Sequence, residues 1–264
     1  MRLEVRGLRY AYALAEVLRG VSFDAEAGEI IAVLGPNGVG KSTLFQCLLG
    51  FLRPKAGSVA YNGRDLSALS QRERAREVAY IPQNAAPVFD YTVLDMVTMG
   101  TASSLGLLRM PGTEQRDKAL ETLESLGIGH LAQRGCNRIS GGERQLMLLA
   151  RALVQEAGVL LMDEPTASLD YGNSFRVMER IRALGRAGYT VLFSTHEPNQ
   201  AFRYASRVLA LREGAILADG RPEDVLTEAA LQALYRIPVA VRGVEVAGKE
   251  YRLSVPYENE EDEA

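Results

Sequence analysis

The apolar run Ile30-Ile31-Ala32-Val33-Leu34 leads directly into Gly35-Pro36-Asn37-Gly38-Val39-Gly40-Lys41-Ser42-Thr43. This is the pattern G-x-x-x-x-G-K-[ST] set between a buried strand and a helix, and it commits the chain to a strand–loop–helix unit that cradles phosphate. Gly35, Gly38 and Gly40 let the backbone turn sharply and come close to a phosphate with no Cβ in the way. Lys41 to Leu49 has helical character and stops at Gly50. The helix N-terminus therefore offers free N–H groups and a partial positive charge. Lys41 is placed to reach the β- and γ-phosphates and Ser42 to ligate Mg²⁺. The ligand class is a nucleoside triphosphate with magnesium; the alternative is a glycine-rich turn that binds nothing.

The 264 residues, 47% of them apolar, are enough for one large α/β domain or two small ones. The net charge is −3, but Glu258, Glu260, Glu261, Asp262 and Glu263 crowd into the tail, so the remainder is near neutral. Such a balance is not the footprint of a nucleic-acid binder. Cys47 and Cys136 make no disulfide framework, which suits a reducing cytoplasm, and Cys47 reads as a small buried apolar residue. No stretch approaches the apolar length of a membrane span, and the charged Met1–Val5 segment does not read as a signal peptide. A role at a membrane would require another chain to hold this one there.

Short strands are expected at Leu3–Leu8, Val17–Phe23, Ile30–Leu34 and Ser58–Tyr61, with a turn at Asn62-Gly63. A polar helix over Gln71–Val78 precedes a strand at Ala79–Ile81, ended by Pro82. Residues 84–139 change character: helical spacing over Val93–Met99, a break at Pro111-Gly112, then an amphipathic helix over Glu114–Leu126. Alternation resumes with a strand at Val159–Met162, a helix over Phe175–Leu184, a strand at Thr190–Ser194 and a helix near Glu197–Tyr204. A hairpin (Val208–Leu211, Ile216–Ala218), a last helix over Val225–Tyr235 and a strand pair between Val239 and Val255 complete the chain, and the acidic tail reads as disordered. This alternation implies a mostly parallel sheet with helices on both faces.

Two further motifs carry chemistry. Val159-Leu160-Leu161-Met162 ends in Asp163-Glu164, at the strand edge where ligands bind in parallel sheets. Asp163 suits a Mg²⁺-holding role and Glu164 that of general base toward water, against the plainer reading of a solvated acidic strand end. Ser140-Gly141-Gly142-Glu143 opens a helix running to about Val154. Ser140-x-x-Glu143 is a capping box, but the box does not explain two glycines that weaken a first turn. Close approach of another phosphate to the backbone would explain them.

The phosphate loop, the Ser140-Gly141-Gly142 signature, Asp163-Glu164 and His196, in that order, resemble the ATP-binding subunit of an ABC transporter over roughly residues 1–235. The resemblance implies the fold class: α/β, a P-loop NTPase (RecA-like) core with an N-terminal antiparallel β subdomain and an inserted helical signature subdomain. It implies an ATPase domain over 1–238, with the insertion at about 84–155, and a C-terminal extension over 239–264. It makes Gln83 the glutamine that contacts Mg²⁺ and water and links to the permease. Ala167-Ser168-Leu169-Asp170 becomes the loop that crosses the dimer interface, and His196 the switch histidine on the γ-phosphate. Tyr12 becomes the ring stacked on adenine, although Tyr10 stands two residues away on the same strand. The signature departs from Leu-Ser-Gly-Gly-Gln at Ile139 and Glu143, and Glu143 adds a negative charge that Arg144 could offset.

The resemblance further implies a head-to-tail homodimer with two ATPs sandwiched between Lys41, Ser42 and Asp163 of one copy and Ser140 and Gly142 of the other. Hydrolysis through Glu164 would open the dimer and drive a polytopic permease, with a substrate-binding protein as an indirect partner, at the cytoplasmic face of the cell membrane. The segments Tyr91–Val97, Gly142–Gln145 and Leu169–Asn173 resemble the metal-chelate uptake group, which handles iron–siderophores, haem, cobalamin and some oxyanions; the plainer alternative is a generic importer ATPase. The other class is a non-transport or export-type ABC ATPase, serving lipid or lipoprotein export or macromolecular assembly. Val88, Phe89, Tyr91 and Val93 are the expected permease dock.

Overall fold

The computed structural model describes residues 2–83, 91–105 and 110–258. The chain opens with a hairpin of β1 (Arg2–Tyr12) and β2 (Ala15–Glu26), then β3 (Ile30–Leu34) and α1 (Lys41–Leu48). β4 (Ala56–Tyr61) and β5 (Arg64–Asp65) follow, then α2 (Gln71–Glu77), started by a Ser70/Glu73 capping box, and β6 (Val78–Ile81). The helical segment holds α3 (Val93–Thr98), α4 (Thr113–Ser125) and α5 (Gly141–Leu153). Next come β7 (Val159–Met162), α6 (Tyr171–Arg186), β8 (Thr190–Thr195), α7 (Pro198–Tyr204), β9 (Arg207–Arg212) and β10 (Ala215–Gly220). The last elements are α8 (Pro222–Val225), α9 (Glu228–Tyr235), β11 (Val239–Val246) and β12 (Lys249–Pro256).

Among the described residues the strands form three sheets. An antiparallel sheet has the order β2-β1-β4-β5, the central sheet β10-β9-β3-β8-β7-β6, and β11-β12 is a separate ribbon. Every pairing in the central sheet is parallel except that of its edge strand β10. All five residues of β3 are buried, as expected for a strand covered on both faces.

Because side chains alternate across a strand, β3 feeds two cores at once. Ile31 and Val33 pack with Phe45, Tyr61 and the antiparallel sheet, whereas Ile30, Ala32 and Leu34 pack with the helices on the opposite face. Helices lie on both faces as expected, but on one face α1 shares the cover with the antiparallel sheet. Within that core the Tyr61 hydroxyl donates to the Leu48 carbonyl at 2.7 Å, satisfying one of the acceptors left open at the end of α1. Cys47 lies in this core as expected, its thiol pushed up to about 11 by burial.

Three expectations change. The last helix is broken in two, because Thr227 accepts from the Ala230 N–H at 3.2 Å and starts a new helix after Leu226. The helix expected from Phe175 begins earlier, at Tyr171: Asp170 caps it by accepting from the Asn173 N–H at 2.8 Å. Val93 is fully buried in the helical core, so it does not belong to a surface dock. Val88 and Phe89, and the tail beyond Glu258, lie outside the described residues.

Candidate functional site

Parallel strands end on the same edge of a sheet, so the segments that follow β3, β8, β7 and β6 emerge side by side. Leu34 pairs with Thr195, Met162 with Phe193 and Ile81 with Met162. The ladders run one bond further, Gly35 N–H to the Thr195 carbonyl at 3.2 Å and Asp163 N–H to the Ile81 carbonyl at 2.9 Å. The phosphate loop, Gln83, Asp163-Glu164 and His196 therefore share one rim.

The phosphate loop needs its glycines for two reasons. A Cβ on Gly35 would stand 2.5 Å from the Leu211 carbonyl oxygen, so that glycine answers to packing against β9. Gly40 has φ 109° as the N-cap residue of α1, a conformation L side chains rarely adopt. Val39 packs partly against the core; Asn37 and Gly38 are exposed. Thr43 is buried, whereas Ser42 is exposed in the first turn of α1. Lys41 is only 5% exposed and folds back on its own loop. Its Nζ donates to the carbonyls of Gly35 (2.7 Å) and Pro36 (3.0 Å) and lies 3.6 Å from Glu164 Oε1. Burial lowers the affinity of this amine for its proton, and the charges of Glu164 and Asp163 oppose that shift.

Glu164 is where the site converges. Oε1 lies 3.3 Å from His196 Nδ1 as well as 3.6 Å from Lys41 Nζ, and Oε2 accepts from Gln83 Nε2 at 3.3 Å. Three side chains from three separate strand ends thus meet one carboxylate. The backbone of Glu164 has φ 44°, an uncommon value for a residue with a side chain and a local strain that surrounding contacts must hold. One such contact is Ser194 on β8, whose Oγ accepts from the Glu164 N–H at 2.8 Å and donates to Asp163 Oδ1 at 2.6 Å. The other oxygen, Asp163 Oδ2, lies at the long distance of 3.5 Å from the Tyr80 hydroxyl. That phenol, pushed up to about 12 by burial and by Asp163, stays a donor.

Ser194 and Tyr80 were not among the residues singled out in the sequence. The signal for Ser194 was a hydroxyl directly after the apolar run Val191-Leu192-Phe193, on the same strand and fully buried. Ser194→Ala should lower the unfolding free energy by about 1–3 kcal/mol, because a half-buried N–H and a buried carboxylate oxygen each lose their partner. Denaturant titration checks this, and an unchanged midpoint would show that the bridge contributes nothing.

The side chains on this rim with an oxygen to offer a metal are Ser42, Asp163 and Gln83. No cluster of three or more His, Cys, Asp or Glu among the described residues could hold a metal ion. This sparse hard-oxygen set fits Mg²⁺, which is held by one or two carboxylates and substrate phosphates and keeps several waters.

Tyr12 and Tyr10 differ in setting. Tyr12 is 47% exposed and its hydroxyl lies 3.5 Å from Gln46 Oε1 on α1. Tyr10 is half-buried against the core and meets Tyr12 edge to face at 4.9 Å. Of the two, Tyr12 has the more open ring.

Ser140, Gly141 and Gly142 are not brought to the rim: among the described residues no hydrogen bond or ion pair joins them to Lys41, Glu164 or His196. The capping box forms as expected, Ser140 N–H to Glu143 Oε2 at 2.7 Å and Glu143 N–H to Ser140 Oγ at 3.3 Å. It also accounts for the extra charge. The cap bonds and the nearby Arg134 and His130 lower the Glu143 carboxyl, while Arg144 turns toward the Cys136 carbonyl at 3.5 Å. Gly142 has a cause inside the chain, since a Cβ there would stand 2.6 Å from Asn173 Cγ on α6. Gly141 has only ordinary contact with Leu169, so it alone keeps its backbone open to solvent.

Residues 18–167 match the ABC transporter family. A hemin import ATP-binding protein of Pseudomonas entomophila is 40% identical over 247 residues, covering 91% of this chain and 94% of that one. A ferric enterobactin transport ATP-binding protein of Escherichia coli is 34% identical over 248 residues, 94% and 92% of the two chains. A solved structure described as a metal-chelate type ABC transporter in an inward-facing conformation superposes with TM-score 0.88 at 32% identity, covering 97% of each chain. With the phosphate loop, the paired carboxylates and the histidine assembled on one rim of this fold, the chain belongs to the ABC transporter family, as an ATP-binding subunit.

Proposed function

We propose that this chain hydrolyses MgATP between two copies of itself and uses the resulting opening and closing to drive a separate membrane permease that imports a metal chelate: an iron–siderophore, haem or cobalamin. The observation that carries the reading is the convergence of Lys41, Gln83 and His196 on Glu164 beside Asp163. In this reading residues 1–238 are the ATPase domain, with the signature helices inserted at about 84–155, and 239–264 an extension. No helix among the described residues is long and apolar enough to cross a membrane, which accords with a subunit held at the membrane by another chain.

Lys41 leaves the carbonyls of Gly35 and Pro36 for the β- and γ-phosphates, a small reorientation of an amine already in the loop. Tyr12 offers its open ring to adenine. Ser42, Asp163 and Gln83 would hold Mg²⁺, which would supply charge neutralisation for the triphosphate. Glu164 Oε2, now accepting from Gln83, takes the proton of the attacking water, and Ser194 keeps both carboxylates aimed. His196 stays within reach of the same carboxylate and of a γ-phosphate beside it. Ser140, Gly141 and Gly142 open α5 and share no bond with this cluster, so in this reading they serve a phosphate held by a second copy. ATP bridging two helix N-termini favours the closed dimer, and that differential affinity is the work available.

Uptake into proteoliposomes holding the chain with the permease and binding protein encoded beside it tests the cargo, with ferric siderophore, haem and cobalamin as probes. ATP-dependent uptake of at least one is expected; uptake of none of them alongside normal ATPase activity would sink the cargo assignment. The permease contact is tested at Tyr91, which is 39% exposed just before α3. Tyr91→Asp should spare the basal ATPase of the free chain and impair co-purification with the permease. Its backbone role, the carbonyl accepting from the Cys136 N–H at 2.9 Å, is untouched by the substitution. Collapse of basal activity would instead mark Tyr91 as core.

A further inference from the structure

His196 sits on an exposed rim, directly after β8, with its side chain 43% exposed. A loop in that position needs ties on both flanks to keep an imidazole 3.3 Å from a carboxylate. On one flank the ties lie within the ATPase core. Glu197 N–H donates to Thr195 Oγ1 at 3.1 Å, and Gln200 Nε2 donates to Thr166 Oγ1 at 3.0 Å, two residues beyond Glu164.

On the other flank the ties come from the C-terminal end of the chain. The Tyr235 hydroxyl, on the last residue of α9, donates to the backbone carbonyl of His196 at 2.9 Å. Burial raises the pKa of this phenol, so it remains a donor throughout the neutral range. Asn199, in the first turn of α7, then pairs with β12 as though it were one residue of an added strand. Its Nδ2 donates to the Ser254 carbonyl at 3.2 Å, and its Oδ1 accepts from the Ser254 N–H at 2.7 Å and Oγ at 3.0 Å. Arg203, one turn further along α7, lies over the rings of Phe175 at 5.1 Å and Tyr251 at 5.8 Å, so the ribbon, α7 and α6 are joined through one side chain. The bonds from Tyr235 and Ser254 fasten the loop of residues 196–200 to the segment of residues 228–256, and Arg203 ties α7 to the same ribbon.

We propose that this C-terminal segment is a brace for the switch loop, with Tyr235 and Asn199 as the positioning residues that hold His196 in register with Glu164. A two-stranded ribbon alone is marginal in water. Docked on α7 and α9 it gains stability and transmits rigidity to the histidine. The inference rests on the role proposed for His196.

The test is the ATPase of the full-length chain at saturating MgATP. Tyr235→Phe keeps the ring and removes one hydroxyl; Asn199→Ala removes the second tie. Each should lower kcat by about two- to tenfold, the worth of one modest hydrogen bond expressed as a rate, with KM for ATP unchanged. In a His196→Ala background the same substitutions should have no further effect, because positioning an absent imidazole changes nothing. Amide hydrogen exchange over residues 195–200 should quicken in both single variants while α1 stays protected, which gives a readout independent of turnover. Wild-type kcat in both variants, an equal loss with and without His196, or unchanged exchange would overturn the brace. A His196→Ala chain that turns over at the wild-type rate would remove the role of His196 itself, whereas a slow His196→Ala beside normal Tyr235→Phe and Asn199→Ala chains would remove only the brace.

Discussion

Glu164→Gln is expected to bind MgATP and to hydrolyse it about 10²–10⁴-fold more slowly, the usual loss when a general base is removed. The substitution is nearly isosteric, so it separates proton acceptance from shape. The amide can still meet Gln83 and His196, which now lie 3.3 Å from the two carboxylate oxygens, but it cannot take a proton from water. It also removes the charge 3.6 Å from Lys41 Nζ, one of the two that oppose the burial of that amine. Lys41 then turns wholly to the phosphates, which is why binding should survive. With hydrolysis stalled and ATP still bridging two copies, the variant should elute as a dimer with MgATP and as a monomer without it. Turnover near the wild-type rate would take Glu164 out of the proton transfer. Slow turnover without dimerisation would leave the base in place and remove the bridging role of ATP.

What the sequence disclosed about this site was whatever is contiguous. Residues 30–49 carry strand, loop and helix in one run, and Met162-Asp163-Glu164 carries strand and carboxylates in another, so period and motif sufficed. The supporting residues act across the sheet or from the far end of the chain. Ser194 reaches residues 31 and 30 positions earlier, and Tyr235 reaches a carbonyl 39 positions earlier. No local pattern announces such contacts. The two signature glycines show a subtler limit. Both invite the reading of a backbone bared for phosphate, yet Gly142 also has a packing reason in its own chain, the closeness of Asn173, which the sequence alone does not reveal. Apolar spacing through Val225–Tyr235 likewise suggested one helix, and the short-range bond from Ala230 N–H to Thr227 divides it. Burial, which the sequence does not disclose, is what separates Tyr10 from Tyr12: one ring rests on the core and the other faces out.

Lys41→Ala should lose nucleotide and turnover together, in contrast to Glu164→Gln. Each hydrogen bond from a charged donor is worth about 1.5–3 kcal/mol, so losing the amine should raise Kd for MgATP by roughly ten- to a hundredfold. In the proposed mechanism the same charge would stabilise the phosphate oxygens as the bond breaks, and removing a donor of that kind should cost a further 10²–10³-fold or so in kcat. The substitution has a second consequence peculiar to this arrangement. Lys41 is the buried cation that neutralises Glu164 and satisfies the Gly35 and Pro36 carbonyls, so the variant leaves a carboxylate facing His196 and two loop carbonyls without that donor. The phosphate loop should therefore loosen even without nucleotide, visible as faster amide exchange over residues 35–41. Calorimetry decides the main point: an unchanged affinity for MgATP would show that the amine, although buried in the loop, is not what holds the phosphates.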